Sequence, residues 1–233
     1  MVEITVLAVT RFSDGACAAG VTSDGKWIRP TRPNPRGWRQ LEYSDCKESS
    51  GRWIIRKGNV VRINLVKPIP EGAHSEDWLV GNKKPELVRE LSEQDYINLC
   101  KKSAEDSLES IKGSIANRSL IMVHPDFVKS FSFGFETDWE GDQKYIPRCS
   151  FQLGEIVHLN VGITDAEWRG YGRKYLKDGS GCQRFKSSDI FADTATKDCW
   201  FTLGANRVKS TDYLLVVGIH LFPVRHFEMD FER

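Results

Sequence analysis

The chain has 233 residues, of which 40% are apolar, and its formal net charge at pH 7 is +1. An apolar content of this size supports a buried core and argues against a disordered chain. The small net charge excludes a uniformly basic protein, so any affinity for nucleic acid must come from an uneven distribution of charge.

Charge is unevenly distributed along the sequence. Residues 26–62 hold ten Lys and Arg against three Asp and Glu, whereas residues 71–110 hold ten Asp and Glu against five Lys and Arg. This pattern predicts a basic face beside an acidic one, although runs of this kind also occur on ordinary solvated surfaces.

The expected compartment is the cytoplasm. No segment reaches the roughly 20 apolar residues that a membrane span needs, and the first residues lack the features of a secretory signal. Six cysteines are scattered without a close pair, which favours reduced thiols over a disulfide framework. We therefore expect no membrane partner, and the oligomeric state is left open.

Short strands separated by turns dominate the predicted elements. Apolar alternation and turn residues predict strands over 2–10, 16–22, 26–29, 53–56 and 59–67. A loop-rich stretch follows, and then a helix over 92–103 with Ser92 as its N-cap and a short helix over 106–112. Further strands are predicted over 120–123, 129–135, 149–151, 156–163 and 212–222. Many short strands with little helix indicate small β-barrels rather than a βαβ enzyme.

A segment rich in cations and aromatic rings follows the second predicted strand, and no acidic residue lies within it. Its candidate nucleic-acid-binding residues are Lys26, Trp27, Arg29, Arg32, Arg36, Trp38 and Arg39. Arginines contact phosphates, while Trp27 or Trp38 can stack on a base. A core position is favoured over a stacking platform for Trp27, because either Trp27 or Ile28 must face inward. The arginines have few acidic neighbours in sequence, which favours binding.

A second stretch, 168–175, combines the same residue types. Its candidate binding residues are Arg169, Tyr171, Arg173 and Lys174. Gly170 and Gly172 flank Tyr171 and would let the backbone approach a ligand closely. We predict a second basic-aromatic loop here, and the alternative is an ordinary glycine-rich surface loop.

Signals for catalysis are weak. His74, Glu76 and Asp77 offer groups for metal binding or acid–base chemistry, but adjacent carboxylates on a strand point to opposite faces. Closely spaced zinc ligands, a phosphate-binding loop, a dinucleotide fingerprint and a nucleophile elbow are all missing from the sequence. We therefore predict no catalytic residue, no metal and no cofactor, and favour a binding protein over an enzyme.

Several short motifs resemble the dual OB-fold domain family of prokaryotes. They are the run 18–20 (Ala-Ala-Gly), the run 27–30 (Trp-Ile-Arg-Pro), the run 74–77 after a strand, and the closing run 216–223. The resemblance implies a mainly β chain with a short helical insertion and two OB-like β-barrels packed in tandem. The first would span 1–122, with the insertion near 92–112, and the second 123–233. It also implies nucleic-acid binding.

The leading hypothesis is a module that binds single-stranded or structured RNA or DNA through one basic-aromatic loop in each barrel. One alternative is a metal-dependent nuclease or hydrolase that uses Glu76 and Asp77. Two others are a protein-interaction domain and a sensor of a nucleotide-like molecule in the cleft between the barrels.

Overall fold

The structure is a computed structural model that describes residues 1–12, 14–33, 39–48, 50–72, 74–111, 118–137, 141–176, 181–208 and 211–232. Within these ranges the chain forms two large β-sheets, one two-stranded sheet and three α-helices. The expectation of a mainly β chain with little helix is confirmed.

The first sheet closes on itself. It contains β1 (Val2–Phe12), β2 (Gly15–Val21), β3 (Trp27–Pro33), β4 (Arg39–Gln40), β5 (Asn59–Ile63), β6 (Leu65–Pro68), β7 (Asp77–Val80) and β8 (Glu86–Glu90). The strand order is β6-β7-β3-β2-β1-β5-β8, with β4 paired to β3. Only Asn64 separates β5 from β6, so one bent strand pairs with β1 at one end and with β7 at the other. This shared strand makes the sheet a barrel.

The second sheet closes in the same way. Its strands are β9 (Leu120–Val123), β10 (Phe127–Phe133), β13 (Arg148–Leu153), β14 (Ile156–Ile163), β15 (Gln183–Lys186), β16 (Asp198–Val208) and β17 (Thr211–Phe222), and a separate hairpin pairs β11 (Phe135–Thr137) with β12 (Gln143–Tyr145). The order is β15-β10-β13-β14-β17-β16-β9. Only three residues separate β9, at one end of this order, from β10, which lies next to β15 at the other end, so the two strands join the ends of the sheet. The predicted domain boundary after residue 122 falls inside β9, which pairs with β16 of the second barrel.

Both barrels share one topology. With each bent strand taken once and the additional strands β4, β8 and β15 left out, each barrel has five strands. Counted along the chain, they are arranged first-second-third-fifth-fourth around the barrel. In each, the third and fifth strands are parallel: β3 with β7, and β14 with β17. This five-stranded Greek-key arrangement is that of an OB barrel, so the predicted pair of OB-like barrels is confirmed.

Three helices complete the fold: α1 (Glu93–Ser103), α2 (Ala166–Arg173) and α3 (Ser187–Asp193). Helix α1 matches its prediction, and the Ser92 hydroxyl accepts a hydrogen bond from the Asp95 amide at 3.1 Å. The expectation of a loop over 168–175 is wrong, because most of this stretch lies in α2. The Asp165 side chain caps α2 by accepting from the Trp168 amide at 3.0 Å, and Trp168 and Tyr171 are both buried on its inner side.

An apolar interface joins the two barrels. It is built from residues of both sheets and of α1, namely Leu7, Ala8, Ala19, Val21, Trp27, Tyr96, Cys100, Leu120, Met122, Trp200 and Phe222. Trp27 is only 7% exposed. The core interpretation of this residue is therefore correct, and its ring is covered by the second barrel.

A buried ion pair crosses this interface. The ammonium group of Lys57, in the first barrel, donates to the Asp165 carboxylate and to the Ile219 carbonyl, the latter at 2.6 Å. Oε2 of Glu167 lies 3.4 Å from the same ammonium group. Glu167 is in helix α2, which Asp165 caps. Burial alone would lower the pKa of Lys57, but the two carboxylates raise it, so the lysine stays charged.

A second polar chain runs parallel to the ion pair. His220 Nδ1 accepts from the Tyr96 hydroxyl at 2.5 Å, and its Nε2 lies 2.8 Å from Thr202 Oγ1, which donates to the Leu7 carbonyl at 3.2 Å. Because the Thr202 hydroxyl donates its proton to Leu7, it must accept a hydrogen bond from Nε2 of His220. The imidazole is therefore neutral, with its proton on Nε2 and a free lone pair on Nδ1 for the Tyr96 hydroxyl. Burial and then the charge of Lys57 lower the pKa of His220 well below its usual value.

The last residues return to the first barrel. Beyond β17, residues 223–232 pass along α2, where the Asp230 amide donates to the Ala166 carbonyl at 2.8 Å. Phe231 then stacks on Trp53 of the first barrel at a ring separation of 5.0 Å. We call this segment the C-terminal strap. It adds a further connection between the two barrels.

Replacing Lys57 by methionine should strongly destabilise the protein. The substitution leaves Asp165 and Glu167 buried without their shared cation, a loss that typically costs about 3–5 kcal/mol. Urea unfolding of Lys57→Met measures it, with Arg62→Met as control, because Arg62 pairs with Glu3 on the surface. Equal midpoints for the two variants would contradict the structural role of the buried pair.

Stability should fall on mild acidification because of His220. Its pKa is lower in the folded than in the unfolded chain, so the unfolded chain binds the extra proton below pH 6.5. The free energy of unfolding then decreases by up to about 1.4 kcal/mol per pH unit as pH falls from 6.5. Unfolding of the wild type and of His220→Gln at pH 7.0 and 5.5 tests this. The variant should lose less stability between the two, and equal losses would refute the assignment.

Candidate nucleic-acid interface and interbarrel cleft

The first basic-aromatic segment is neutralised by acids that are distant in sequence. Arg29 donates from Nε and Nη2 to the Asp77 carboxylate at 2.5 and 2.9 Å. Arg39 Nη1 lies 3.3 Å from the same carboxylate, and its Nη2 lies 3.2 Å from Glu71. The parallel pairing of β3 with β7 places Arg29 opposite Asp77. The expectation that these arginines lack acidic partners is therefore wrong.

The other members of this segment differ in exposure. Arg32 is held by Asp45 at 3.2 Å and by the Gly81 carbonyl at 3.0 Å. Lys26 is exposed and its ammonium group lies 4.8 Å from the centre of the Trp78 ring. The remaining candidates, Arg36 and Trp38, lie outside the described residues and stay predictions.

The second predicted segment fastens α2 to its surroundings. Arg169 is 7% exposed and donates to the carbonyls of Tyr145 and Glu232 at 2.7 and 2.8 Å. Arg173 pairs with Asp230 of the C-terminal strap at 2.9 Å. These partners lie far away in sequence, so the composition of the segment alone could not reveal them.

The two remaining residues of the predicted segment, Tyr171 in α2 and Lys174 directly after it, share one acid. Tyr171 is 6% exposed, and its hydroxyl donates to Asp193 at 2.6 Å. Lys174 pairs with the same carboxylate at 2.5 Å. A stacking role for Tyr171 is not compatible with its burial, since a base needs an open ring face.

The carboxylates considered for catalysis are both engaged. The Ser119 hydroxyl donates to Glu76, and His74 Nδ1 lies 2.8 Å from that hydroxyl. Burial raises the pKa of Glu76, but the hydrogen bonds from His74 and Ser119 outweigh it and hold this pKa below its usual value. Asp77 is bound by the two arginines. Across the described ranges, no group of three His, Cys, Asp or Glu residues is placed to hold a metal ion.

A cleft of about 320 Å³ lies between the barrels beside these groups. One wall comes from β1 and β2 and the other from β16 and β17. Its apolar lining combines small residues with larger aliphatic ones. The small residues are Ala8, Ala18, Ala19, Gly204 and Ala205, and the larger ones include Leu215 and Val217. Its polar lining includes Arg29, Arg39, Glu71, His74, Asp77 and Ser119. The cleft therefore combines a narrow apolar slot with a cluster of charged groups.

The second barrel presents a different surface on the outer side of β10, β13, β14 and β15. On β10 the core takes Phe131 and Phe133, so the alternate residues Ser130 and Ser132 point outward. Two rows of paired residues cross this outer face: Lys186, Ser130 and Ser150 in one, and Arg184, Ser132 and Arg148 in the other. We call this surface the serine face.

Cations and apolar groups border the serine face. Arg184 and Lys186 are exposed, and Arg184 donates to the Asn160 side chain at 3.2 Å. Arg148 is partly neutralised by Glu136 at 2.5 Å. Exposed apolar side chains lie along one edge, namely Phe127 (58% exposed), Val157 (52%) and Leu159 (63%). One half-buried hydroxyl, from Ser130, thus occurs beside exposed cations and an open aromatic ring, whereas Ser132 and Ser150 are each only 5% exposed.

The sequence carries a signal for this face. Serine alternates with phenylalanine over 130–133, and Arg184 and Lys186 flank Phe185. A period of two places all these polar residues on the side opposite the core. This alternation therefore indicates a polar outer face, but it is a weaker signal for binding than the clusters of arginine and tryptophan elsewhere in the sequence.

Comparison with known proteins is consistent with this topology. A family model described as "Dual OB-containing domain" matches residues 2–191. No curated protein matches the chain. The matched range ends before β16 and β17, which supply the last two strands of the second barrel. No helix in the described part of the chain is long and apolar enough to cross a membrane.

Cys17, which lines the cleft, should react slowly with alkylating agents. Burial raises the pKa of its thiol to about 11, so at pH 8 its reactive thiolate is about a hundredfold scarcer than for an ordinary cysteine. Cys182 is exposed and serves as the internal reference. Iodoacetamide labelling followed by mass spectrometry should modify Cys182 first. Comparable rates would show that the cleft opens freely to solvent.

Proposed function

The chain belongs to the dual OB-containing domain family, and on that premise we propose that it binds single-stranded nucleic acid on the serine face without catalysis of its own. OB-fold domains generally bind nucleic acids, and they do so on the face of their second and third strands. In the second barrel these strands are β13 and β14, which form the centre of the serine face.

Accessibility favours the second barrel over the first. The equivalent strands of the first barrel are β2 and β3, whose outer side faces β16 and β17 across the interbarrel cleft. A cleft of that size has no room for an extended strand. On the serine face, the bordering side chains of Phe127, Arg184 and Lys186 are exposed, so a polymer can reach them.

The observation that carries the proposal is the composition of this face. Arg184 and Lys186 lie on β15, two residues apart and on the same side, where both can approach successive phosphates. Ser130 is small and half-buried, so a backbone can lie close to the sheet, and it offers a hydroxyl to sugar and phosphate oxygens, whereas Ser132 and Ser150 are buried. Phe127 supplies a ring on which a base can stack.

The cations of the first basic-aromatic segment are not all equally free to bind a nucleic acid. Lys26 is exposed and, with Arg36 and Trp38, forms a candidate second contact region on the first barrel. Arg29, Arg32 and Arg39 are bound to acids, so a strand would have to compete with those carboxylates for them.

Removing the two cations of the serine face should weaken binding and reduce its dependence on salt. For Arg184→Ala/Lys186→Ala we expect at least about tenfold weaker binding and a salt slope smaller by about 1.4, since each phosphate contact on a single strand contributes about 0.7. Fluorescence anisotropy of labelled single-stranded RNA and DNA at about 50 and 200 mM salt measures both. Lys83→Ala/Lys84→Ala removes two exposed cations of the first barrel as the matched control.

Phe127→Ala should weaken binding without changing the salt slope. Loss of one stacked base costs about 1–3 kcal/mol, and stacking releases no counterions. Ile156→Ala, which removes an apolar side chain of similar exposure nearby, is the control. Full affinity in both the Phe127 variant and the double variant would refute binding on the serine face.

A further inference from the structure

We propose that the interbarrel cleft is a separate binding site for a nucleoside monophosphate, either free or as the phosphorylated end of a strand. The volume of about 320 Å³ lies at the small end of the range for ligand pockets, about 300–1,000 Å³. It therefore suits one nucleotide rather than several. This site and the serine face are built from different residues, so each can be tested without the other.

The apolar part of the cleft fits a flat ring. Its opposite walls are two sheet surfaces, one carrying Ala8 and Ala19 and the other Gly204, whereas the next residue, Ala205, packs against the core of the second barrel. Small side chains on both walls leave a slot between the sheets, and Leu215 and Val217 add apolar contacts. A planar base can enter such a slot with both faces covered, whereas a bulkier group would meet one wall.

The charged part fits a phosphate. Asp77, whose side chain is 1% exposed, binds both Arg29 and Arg39 and fixes the two guanidinium groups next to each other. Guanidinium groups held in this way can donate several parallel hydrogen bonds to a phosphate. His74 is also fixed, because Nδ1 is bound to Ser119, and its Nε2 is its remaining group for a ligand.

Glu71 occupies one of these donors in the structure. Its carboxylate lies 3.2 Å from Arg39 Nη2, while its side chain is 70% exposed and comes from the loop before β7. An exposed carboxylate is easily displaced, since surface ion pairs of this kind are weak. We infer that a ligand phosphate replaces Glu71 at Arg39, while the buried Asp77 stays in place.

A nucleotide joins the two properties that the cleft requires. Inorganic phosphate would reach the arginines but leave the slot empty, and adenosine would fill the slot but leave the arginines bound to Glu71. Isothermal titration calorimetry with AMP, adenosine and inorganic phosphate should therefore show AMP binding at least about tenfold tighter than either part, the value of one charge-assisted hydrogen bond. No AMP binding at millimolar concentration, or equal binding of adenosine, would overturn the proposal.

The source of the nucleotide is identified by competition. An oligonucleotide of eight thymidines with a 5′-phosphate is compared with the same strand carrying a 5′-hydroxyl, each against bound AMP. Displacement by the phosphorylated strand alone identifies a strand end as ligand, and displacement by neither identifies a free nucleotide. Equal displacement by both strands would contradict a phosphate site.

Two variants test the geometry directly. Glu71→Gln should raise AMP affinity about two- to fivefold, the range released with one exposed ion pair. Its matched control is Glu90→Gln, because Glu90 is also an exposed acid that pairs with an arginine, but on the far strand β8. Unchanged or weaker AMP binding by Glu71→Gln would contradict the displacement.

The second variant, Gly204→Phe, places a ring on the cleft side of β16, next to Val217, and should abolish AMP binding. Circular dichroism reports whether it folds, and if it does not, Glu71→Gln decides. The serine-face variant Arg184→Ala/Lys186→Ala should bind AMP normally. A loss of AMP binding there would mean that the two sites are one, and would overturn the proposal of a separate site.

Discussion

The buried contact of Lys57 with Asp165 is the constraint on which the arrangement of the two barrels depends. Each barrel closes its own sheet, so nothing within either one fixes the position of the other. The lysine and the carboxylate come from different barrels, and a buried charge that loses its partner is costly. Few relative orientations satisfy both groups, and the chain from Tyr96 through His220 to the Leu7 carbonyl restricts them further. The width of the cleft follows from this orientation, because its walls belong to different barrels.

One topology thereby yields two unlike surfaces. The outer side of β2 and β3 is covered by the neighbouring barrel and retains only an enclosed slot, whereas the outer side of β13 and β14 stays open. Their electrostatics differ accordingly. In the charged part of the cleft, Arg29 and Arg39 share the buried Asp77, which gives a rigid and nearly neutral cluster. On the serine face, Arg184 and Lys186 are exposed cations that can contact the phosphates of a flexible polymer. The two barrels have the same strand order, and their surfaces differ because the contact between the barrels covers one of the two equivalent faces.

The barrels were predictable from sequence, and the functional surfaces only in part. Apolar alternation located most strands, and Ser92 marked the start of α1. The partners of the arginines were not predictable, because Arg29 meets Asp77 through the parallel pairing of strands that are 48 residues apart. Local composition described residues 168–175 as a loop, although Asp165 stood at the position of an N-cap. Burial of Trp27 and Tyr171 depends on contacts between distant parts of the chain, and no window of sequence contains both sides of such a contact.

The late position of β16 and β17 has a consequence for the growing chain. The first barrel is complete once β7 has been synthesised, but the second cannot close until β17 follows about 140 residues later, which at about 5–20 residues per second takes on the order of 7–28 s. During that interval Leu7, Ala19 and Trp27 lack the covering residues Trp200 and Phe222, and Lys57 has no carboxylate partner until residue 165 has been synthesised. The nascent first barrel therefore exposes an apolar patch of the kind that chaperones bind, with a charge at its edge that keeps the patch hydrated until its partner arrives.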